Sequence, residues 1–414
     1  MPAPPSPDLP AAAACFFRAR FMPPLGRETR LACGTRPANL LRSGTSARTR
    51  KRGGASPRRV GFPKHSARPS LRIPQRDAGG LAAAAPARHH VFSERRISAS
   101  PLSPFPVISQ ALIAKIRQHD LSAMAELDAM GISPSPAESV EEFATRLEGL
   151  NLNFAKMEDA LHCAGEYTVE GVAVKATARI PEEIFAEPME RTSRLFGFRC
   201  DWVPGFFFSA SPLSFFGGYA FYFFPEFFAM FLARGEFRKR QKWLFIGRDE
   251  LVSHEMCHIA RAALESHAYE ELFAYQTATT AFRRFTGGIF REQLDSFLFL
   301  GATFLLFFWQ LARAFAFPLL PAWPGWVVLV ADVVFLMARH CRTYHRFTTA
   351  RKKLTRLYGD EATARAVLFH ASDAEIPQLA KAKDLPGLLD GWANSQLRWQ
   401  IIRHRFPWPE PSPQ

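Results

Sequence analysis

Apolar and polar positions change their period several times along this chain, and each change predicts an element. From 107 to 165 apolar residues recur at helical spacing, most clearly in SVEEFATRLEGLNLNFAKMEDALHCA, where Ser139 and Glu142 are placed to form an N-terminal capping box. Residues 166–180, EYTVEGVAVKATARI, alternate as half-buried strands do. RIPEEIFAEPMERTSRLFG returns to a short helix opened by proline. KWLFIG reads as a strand, and a helix follows from 249 to about 266. Residues 341–405 are again helical, with turn signals between segments. Together these predict an α+β fold that is mainly α.

Two stretches drop the amphipathic pattern. Residues 297–317 are almost continuously apolar, with Arg313 late in the run, and 324–338 form a shorter run containing Asp332. The uncharged linker PLLPAWP joins them. Their outer flanks are basic: Arg283, Arg284 and Arg291 before, then Arg339, Arg342, Arg346, Arg351, Lys352 and Lys353 after. This predicts a transmembrane helical hairpin with both ends cytoplasmic. A hairpin buried in a soluble core gives the same pattern, and the shortness of the second run fits that reading. Arg313 is placed either to pair with Asp332 or to snorkel to the interface. A third apolar stretch, 203–233, is long enough to span a bilayer but is interrupted by Pro212, Gly217, Gly218, Pro225 and Glu226. It leaves a span, a membrane-dipping element and a buried core segment open, and it ends in the basic run RGEFRKRQK.

Composition changes this picture at one place. Of the 414 residues, the first 100 hold 19 Lys/Arg against 4 Asp/Glu, more than the whole net charge of +14. The basic character therefore belongs to the tail, and nucleic acid is not an expected partner of the remainder. Residues 1–100 are rich in Pro, Ala, Arg, Ser and Gly without apolar period, as in a disordered tail or an over-extended gene start; an Arg-rich, acid-poor transit peptide is the alternative. Phenylalanine is abundant, at 39 residues, and about half of it falls in the apolar runs, which points toward lipid. None of the six cysteines forms a CxxC pair, and they read as free thiols in a reducing compartment. The expected organisation is a tail at 1–100, a soluble α+β region at 101–202, an apolar segment with a metal-binding helix pair at 203–290, the hairpin at 291–340 and a helical region at 341–414.

The chemistry concentrates in His254-Glu255-Met256-Cys257-His258. His254 and His258 lie one helical turn apart on one face, the spacing for two imidazoles on one tetrahedral metal. Glu255 is the next residue round, and its carboxylate can reach a metal-bound water and take its proton. Two surface histidines on an ordinary helix would give the same letters. The preceding strand, the packed side formed by Ile259, Ala262 and Ala263, and the acidic helix start that follows favour the metal. A catalytic zinc needs a third protein ligand. Glu265 lies about 10 Å further along the axis than His258, too far to share an ion. Arg261 and Leu264 stand where a metzincin needs Gly and His. There remains the next helix, which starts with Glu270 and Glu271 and follows a turn containing His267.

Over these residues, roughly a tenth of the chain, the sequence resembles the gluzincin superfamily, whose members pair an HExxH helix with a glutamate on a second helix, often as E-x-x-A-D or E-x-x-S-D. Glu271-Leu272-Phe273-Ala274-Tyr275 occupy those positions here, with Tyr275 in place of the aspartate that orients a zinc histidine. The gap between His258 and Glu271 is also shorter than in the thermolysin type. The resemblance implies a zincin-like helix pair, Zn2+ held by His254, His258 and Glu271, and Glu255 as general base. Periodicity agrees: Glu271 shares a face with Ala274, Tyr275, Ala278, Phe282 and Phe285, whereas Glu270 projects about 100° away. Glu270 reads as a first-turn acid favoured by the helix dipole. His267 reads as a surface histidine, with substrate binding or oxyanion stabilisation as its functional alternative, and Cys257 as a packing residue. The whole chain is more similar to a bacterial membrane family than to any well-studied peptidase. The expectation is a membrane-bound zinc hydrolase, a peptidase, at the cytoplasmic face of a bacterial inner membrane, with the lipid bilayer and a peptide or protein substrate as partners. The alternative is a non-catalytic membrane scaffold whose HExxH is structural or vestigial.

Overall fold

The computed structural model describes residues 107–209, 217–223 and 227–409; the basic tail expected at 1–100 lies outside them. Ser109 and Asp120 cap α1 (Gln110–Arg117) and α2 (Leu121–Ala129) with their side-chain oxygens. α3 (Val140–Ala164) starts with the expected capping box, the Ser139 N–H donating to Glu142 at 2.8 Å, and stops at Gly165, whose φ of +75° suits glycine alone. Its stripe of Phe143, Leu147, Leu150, Phe154, Met157 and Leu161 is buried. An antiparallel hairpin of β1 (Glu166–Val169) and β2 (Val172–Lys175) precedes α4 (Ala186–Phe196).

The apolar stretch 203–233 supplies a sheet, so of its three readings the buried core segment is the one observed. β3 (Gly205–Phe208), β4 (Gly218–Phe223) and β5 (Phe228–Arg234) are ordered β3-β5-β4, with β3 parallel and β4 antiparallel to the central strand. Every residue of β5 is buried. Phenylalanine suits a pleated surface covered on both faces, and the glycines and prolines that interrupt the run oppose a helix. A short hairpin of β6 (Lys242–Trp243) and β7 (Ile246–Gly247) then leads into α5 (Arg248–Arg261), α6 (Glu270–Ala274) and α7 (Ala281–Thr286). With strands this few and short, the architecture is α+β and mainly helical.

α8 (Gln293–Phe315) and α9 (Trp323–Tyr358) are both long and apolar enough to cross a membrane. Only 11% and 17% of their apolar windows are buried, whereas the core hairpin of a soluble protein would be mostly covered. Arg313 does not pair with Asp332. It donates to Leu320 O at 2.8 Å and to Gln310 Oε1 at 2.9 Å, while the Trp309 indole donates to Pro321 O at 2.8 Å. Side chains of the last turns of α8 thus satisfy carbonyls of the connecting loop. At the root of the hairpin Arg339 pairs with Asp295, and Arg291 donates to Arg339 O and Thr343 Oγ1 at 3.0 and 2.6 Å.

The second apolar run continues as helix well beyond 338. No proline or glycine interrupts 326–358, and His340, Thr343, Phe347, Ala350 and Leu354 form a buried stripe at helical spacing. The far half of α9 is therefore an ordinary amphipathic core helix. It ends at Gly359 and is followed by α10 (Glu361–Phe369), α11 (Glu375–Lys381), α12 (Leu385–Ser395) and α13 (Leu397–Arg405). These return to the residues before the hairpin. Phe369 stacks on Phe196 and Phe198 with centroids 4.4 and 5.1 Å apart, and Phe273 meets Phe347 and Phe369 edge-on. Asp128 of α2 is buried between His370 (2.9 Å), Arg405 of α13 and the Ser133 hydroxyl. The sequence on either side of the hairpin builds one core.

Candidate metal centre

α5 has two unlike sides. Val252, Ser253, Met256, Cys257, Ile259 and Ala260 are buried, while His254, Glu255 and His258 remain partly exposed. Gly131 (φ +78°) lets the end of α2 come close to α5, since a Cβ there would press on Ala260 and Phe198. Cys257 donates to Ser253 O at 3.3 Å, and burial pushes its thiol well above the ordinary range, so it packs as an inert side chain.

What brings the second helix to the first is a turn held from beyond the hairpin. After Arg261 a short 3-10 turn and Glu265 (φ +46°) reverse the chain. The next residues fold round Asp373, which accepts from Ser266 Oγ at 2.5 Å and from the backbone N–H groups of His267 and Ala268 at 2.7 Å each. Burial alone would raise the Asp373 carboxyl, but these donors hold it below its ordinary value. His267 thus serves through its backbone. The buried Arg261 guanidinium donates to Phe369 O, to Ala371 O at 3.3 Å and to Ser266 Oγ at 3.1 Å, and it lies 4.1 Å from the Phe273 ring centre. Asp373 and Arg261 carried no signal in the sequence, because their partners lie far along the chain or on the backbone.

With α6 folded back, three of the predicted side chains converge. His254 Nε2 is 3.1 Å from His258 Nε2 and 3.4 Å from Glu271 Oε2, and His258 Nε2 is 3.6 Å from Glu271 Oε1. Neighbouring ligand atoms around a tetrahedral zinc stand about 3.3–3.5 Å apart, given bonds of about 2.0–2.2 Å. The three separations lie on either side of that range, with the two glutamate distances running to different oxygens of one carboxylate. Glu271 is 29% exposed, so solvent reaches the cluster from its side.

Glu270 has a position that the sequence reading did not give it. It is buried, and its Oε1 lies 3.0 Å from His258 Nδ1, with Arg261 Nε 3.5 Å from its other oxygen. A first-turn acid acting only on the helix dipole would face water. This one orients an imidazole: an Nδ1 proton donated to the carboxylate leaves the Nε2 lone pair for the triangle. Burial disfavours charge on His258, yet the carboxylates of Glu271, Glu270 and Glu255 outweigh it and push its pKa up to about 9.

Glu255 stands apart from the triangle. Its Oε2 accepts the Ala220 N–H at 2.7 Å, so the edge strand β4 lies over the site and points a donor at the carboxylate. Burial raises its pKa, offset in part by His254 and His258 and by that N–H. A raised carboxyl is a better proton acceptor than an ordinary one. Tyr275, in place of an orienting aspartate, sets its ring edge-on to His254 with centroids 4.6 Å apart. The Tyr275 ring fills the space where Gly287 would carry a Cβ. His254 is therefore fixed by packing, where His258 is fixed by a carboxylate. No protein-family model, curated protein or solved structure matches the chain.

Proposed function

We propose that this chain is a membrane-bound zinc-dependent hydrolase, a peptidase, with His254, His258 and Glu271 as metal ligands and Glu255 as general base. The observation that carries the reading is the triangle of three ligand atoms, backed by a carboxylate on one imidazole and flanked by a separate carboxylate of raised pKa. Buried Glu270 keeps His258 in the tautomer a metal needs, and Tyr275 holds His254 in its rotamer. When bound, zinc supplies a Lewis acid for the scissile carbonyl and acidifies a water. In this reading Glu255 takes that proton and returns it to the leaving amine, with the Ala220 N–H holding its carboxylate. The edge position of β4 supports a peptide substrate, since an extended backbone can lie along such a strand. The zincin-like pairing of α5 with α6 belongs to the same proposal.

Metal content tests the reading first. Purified protein is expected to hold about one zinc per chain, and His254→Ala or His258→Ala to lose it. Stoichiometric zinc in the double variant would remove the ligand assignment. If zinc is bound but no hydrolysis is found and Glu255 is dispensable, the non-catalytic scaffold takes its place.

Attachment is tested separately. The exposed apolar surface of α8 and α9 supports a membrane hairpin, and the basic flanks support a cytoplasmic position for its ends and for the site beside them, at the inner membrane of a bacterium. The full chain is expected to stay with membranes through a carbonate wash. Because Asp295 and Arg339 are paired at the root, removing 297–337 and bridging the gap with a short glycine turn is expected to release the remainder as soluble protein. Full-length protein soluble without detergent would overturn the hairpin reading.

A further inference from the structure

The β6–β7 hairpin is built against ordinary turn chemistry. Lys242 pairs with Gly247 and Trp243 with Ile246, which leaves Leu244 and Phe245 as a two-residue turn. Such turns are normally made by Asn, Asp or Gly. Here both residues are large and apolar, exposed by 61% and 79%, and Leu244 takes a φ of +51°, a conformation that strains a leucine. The base of the turn is rigid, since the Arg234 guanidinium lies 3.9 Å from the Trp243 ring centre. Around that base Arg238, Lys239, Arg240 and Lys242 are all exposed, and no acidic residue occurs between 237 and 248.

We propose that this turn is a second membrane contact, an apolar finger with a cationic collar that rests in the interface of an anionic bilayer. An exposed apolar tip gains by entering the headgroup–acyl boundary, and each Lys or Arg beside it gains from anionic headgroups. A lipid surface fits better than a protein partner because the exposed apolar residues lead on toward the hairpin. Glu250, in the first turn after the finger, binds Arg283 of α7 at 2.7 Å. The neighbouring Phe282 is 73% exposed, and the chain then passes exposed Phe290 into α8. The collar also has the same sign as the flanks of α8 and α9, which places it at the same leaflet. The inference rests on the reading of those helices as membrane-spanning.

The test uses full-length protein with Cys15, Cys33 and Cys341 replaced by serine and the buried Cys200 and Cys257 kept; a nitrobenzoxadiazole label is attached at Phe245→Cys or at Phe307→Cys of α8, each with Cys163→Ser, or at the exposed Cys163 itself. Each is reconstituted in phosphatidylcholine vesicles with and without phosphatidylglycerol, with brominated acyl chains as quencher. Labels at 245 and 307 are expected to be quenched in the anionic vesicles and the label at 163 not. Replacing Arg238, Lys239, Arg240 and Lys242 by glutamine should weaken partition of the 245 label roughly fivefold for each cation removed, without affecting 307. A 245 label that behaves like 163 while 307 is quenched overturns the finger and leaves the hairpin reading standing. If 307 is unquenched as well, the hairpin reading falls with it. Equal quenching at 245 without anionic lipid or without the four cations overturns the anionic-surface assignment.

Discussion

Glu255→Gln is expected to leave zinc content and fold unchanged and to lower hydrolysis by about 10²–10⁴-fold, the usual weight of a positioned general base. The amide is isosteric and can still accept the Ala220 N–H, so the strand above the site has no reason to move. What it lacks is a lone pair able to take a proton. The two glutamates that open α6 should respond differently. Glu271→Gln removes one corner of the triangle and is expected to strip the metal, since a neutral amide is a poor third ligand. Glu270→Gln keeps all three ligands but gives His258 a weaker partner, and zinc affinity should fall by about 10–100-fold. A zinc titration and a labelled-casein assay in detergent separate the three outcomes. Undiminished hydrolysis by the Glu255 variant, or full zinc affinity in the Glu271 variant, would each sink the corresponding role.

The largest effect on stability is expected at Asp128→Asn. This carboxylate is 1% exposed and accepts from Ser133 while facing His370 and Arg405. Burial alone would raise its pKa, but the charges of His370 and Arg405 hold it well below the ordinary carboxylate range. Taking away the negative charge leaves the partly buried Arg405 guanidinium without its counter-charge inside the core, which costs about 3 kcal/mol, or an apparent Tm lowered on the order of 10 °C in detergent. Because the folded pKa is depressed, the ionised carboxylate contributes stability above the unfolded value of about 4 and loses it as pH falls further. Melting curves of the two proteins should therefore differ most near neutrality and converge only in acid below about pH 4. A variant that melts with wild type at pH 7 would show that the cluster is not a stabilising centre.

Much of the fold was legible in local pattern. The cap at Ser139, the β1–β2 alternation, the helix bearing His254 and His258 and the apolar runs of α8 and α9 are all set by neighbours in sequence. The approach of Glu271 to the histidines was expected from the resemblance and agreed with helical period, but period gave no sign that Glu270 would reach His258 as well. Three features were not legible. The run 203–233 has the composition of a span, and only its pairing with other strands distinguishes a buried sheet from lipid-facing sequence. The length of α9 was underestimated because its second half changes from an apolar pattern to a charged one while its backbone stays helical. Glu270, Arg261 and Asp373 act through an imidazole nitrogen, backbone carbonyls and a turn, none of which leaves a periodic trace.

α9 also has a mechanical consequence. It is one helix of 36 residues, about 54 Å long, with no proline or glycine beyond its first turn to act as a joint. Its near half lies along α8 and its far half is gripped by the core through Phe347, Ala350 and Leu354. If the near half sits in a bilayer, a change in bilayer thickness is met by tilting a rod, and tilting a rod at one end rotates whatever is fastened to the other. The head that carries His254, His258 and Glu271 then has no orientation of its own. Lipid chain length sets the angle at which that cluster faces the membrane surface, and short-chain and long-chain bilayers become two mechanical settings of the same protein.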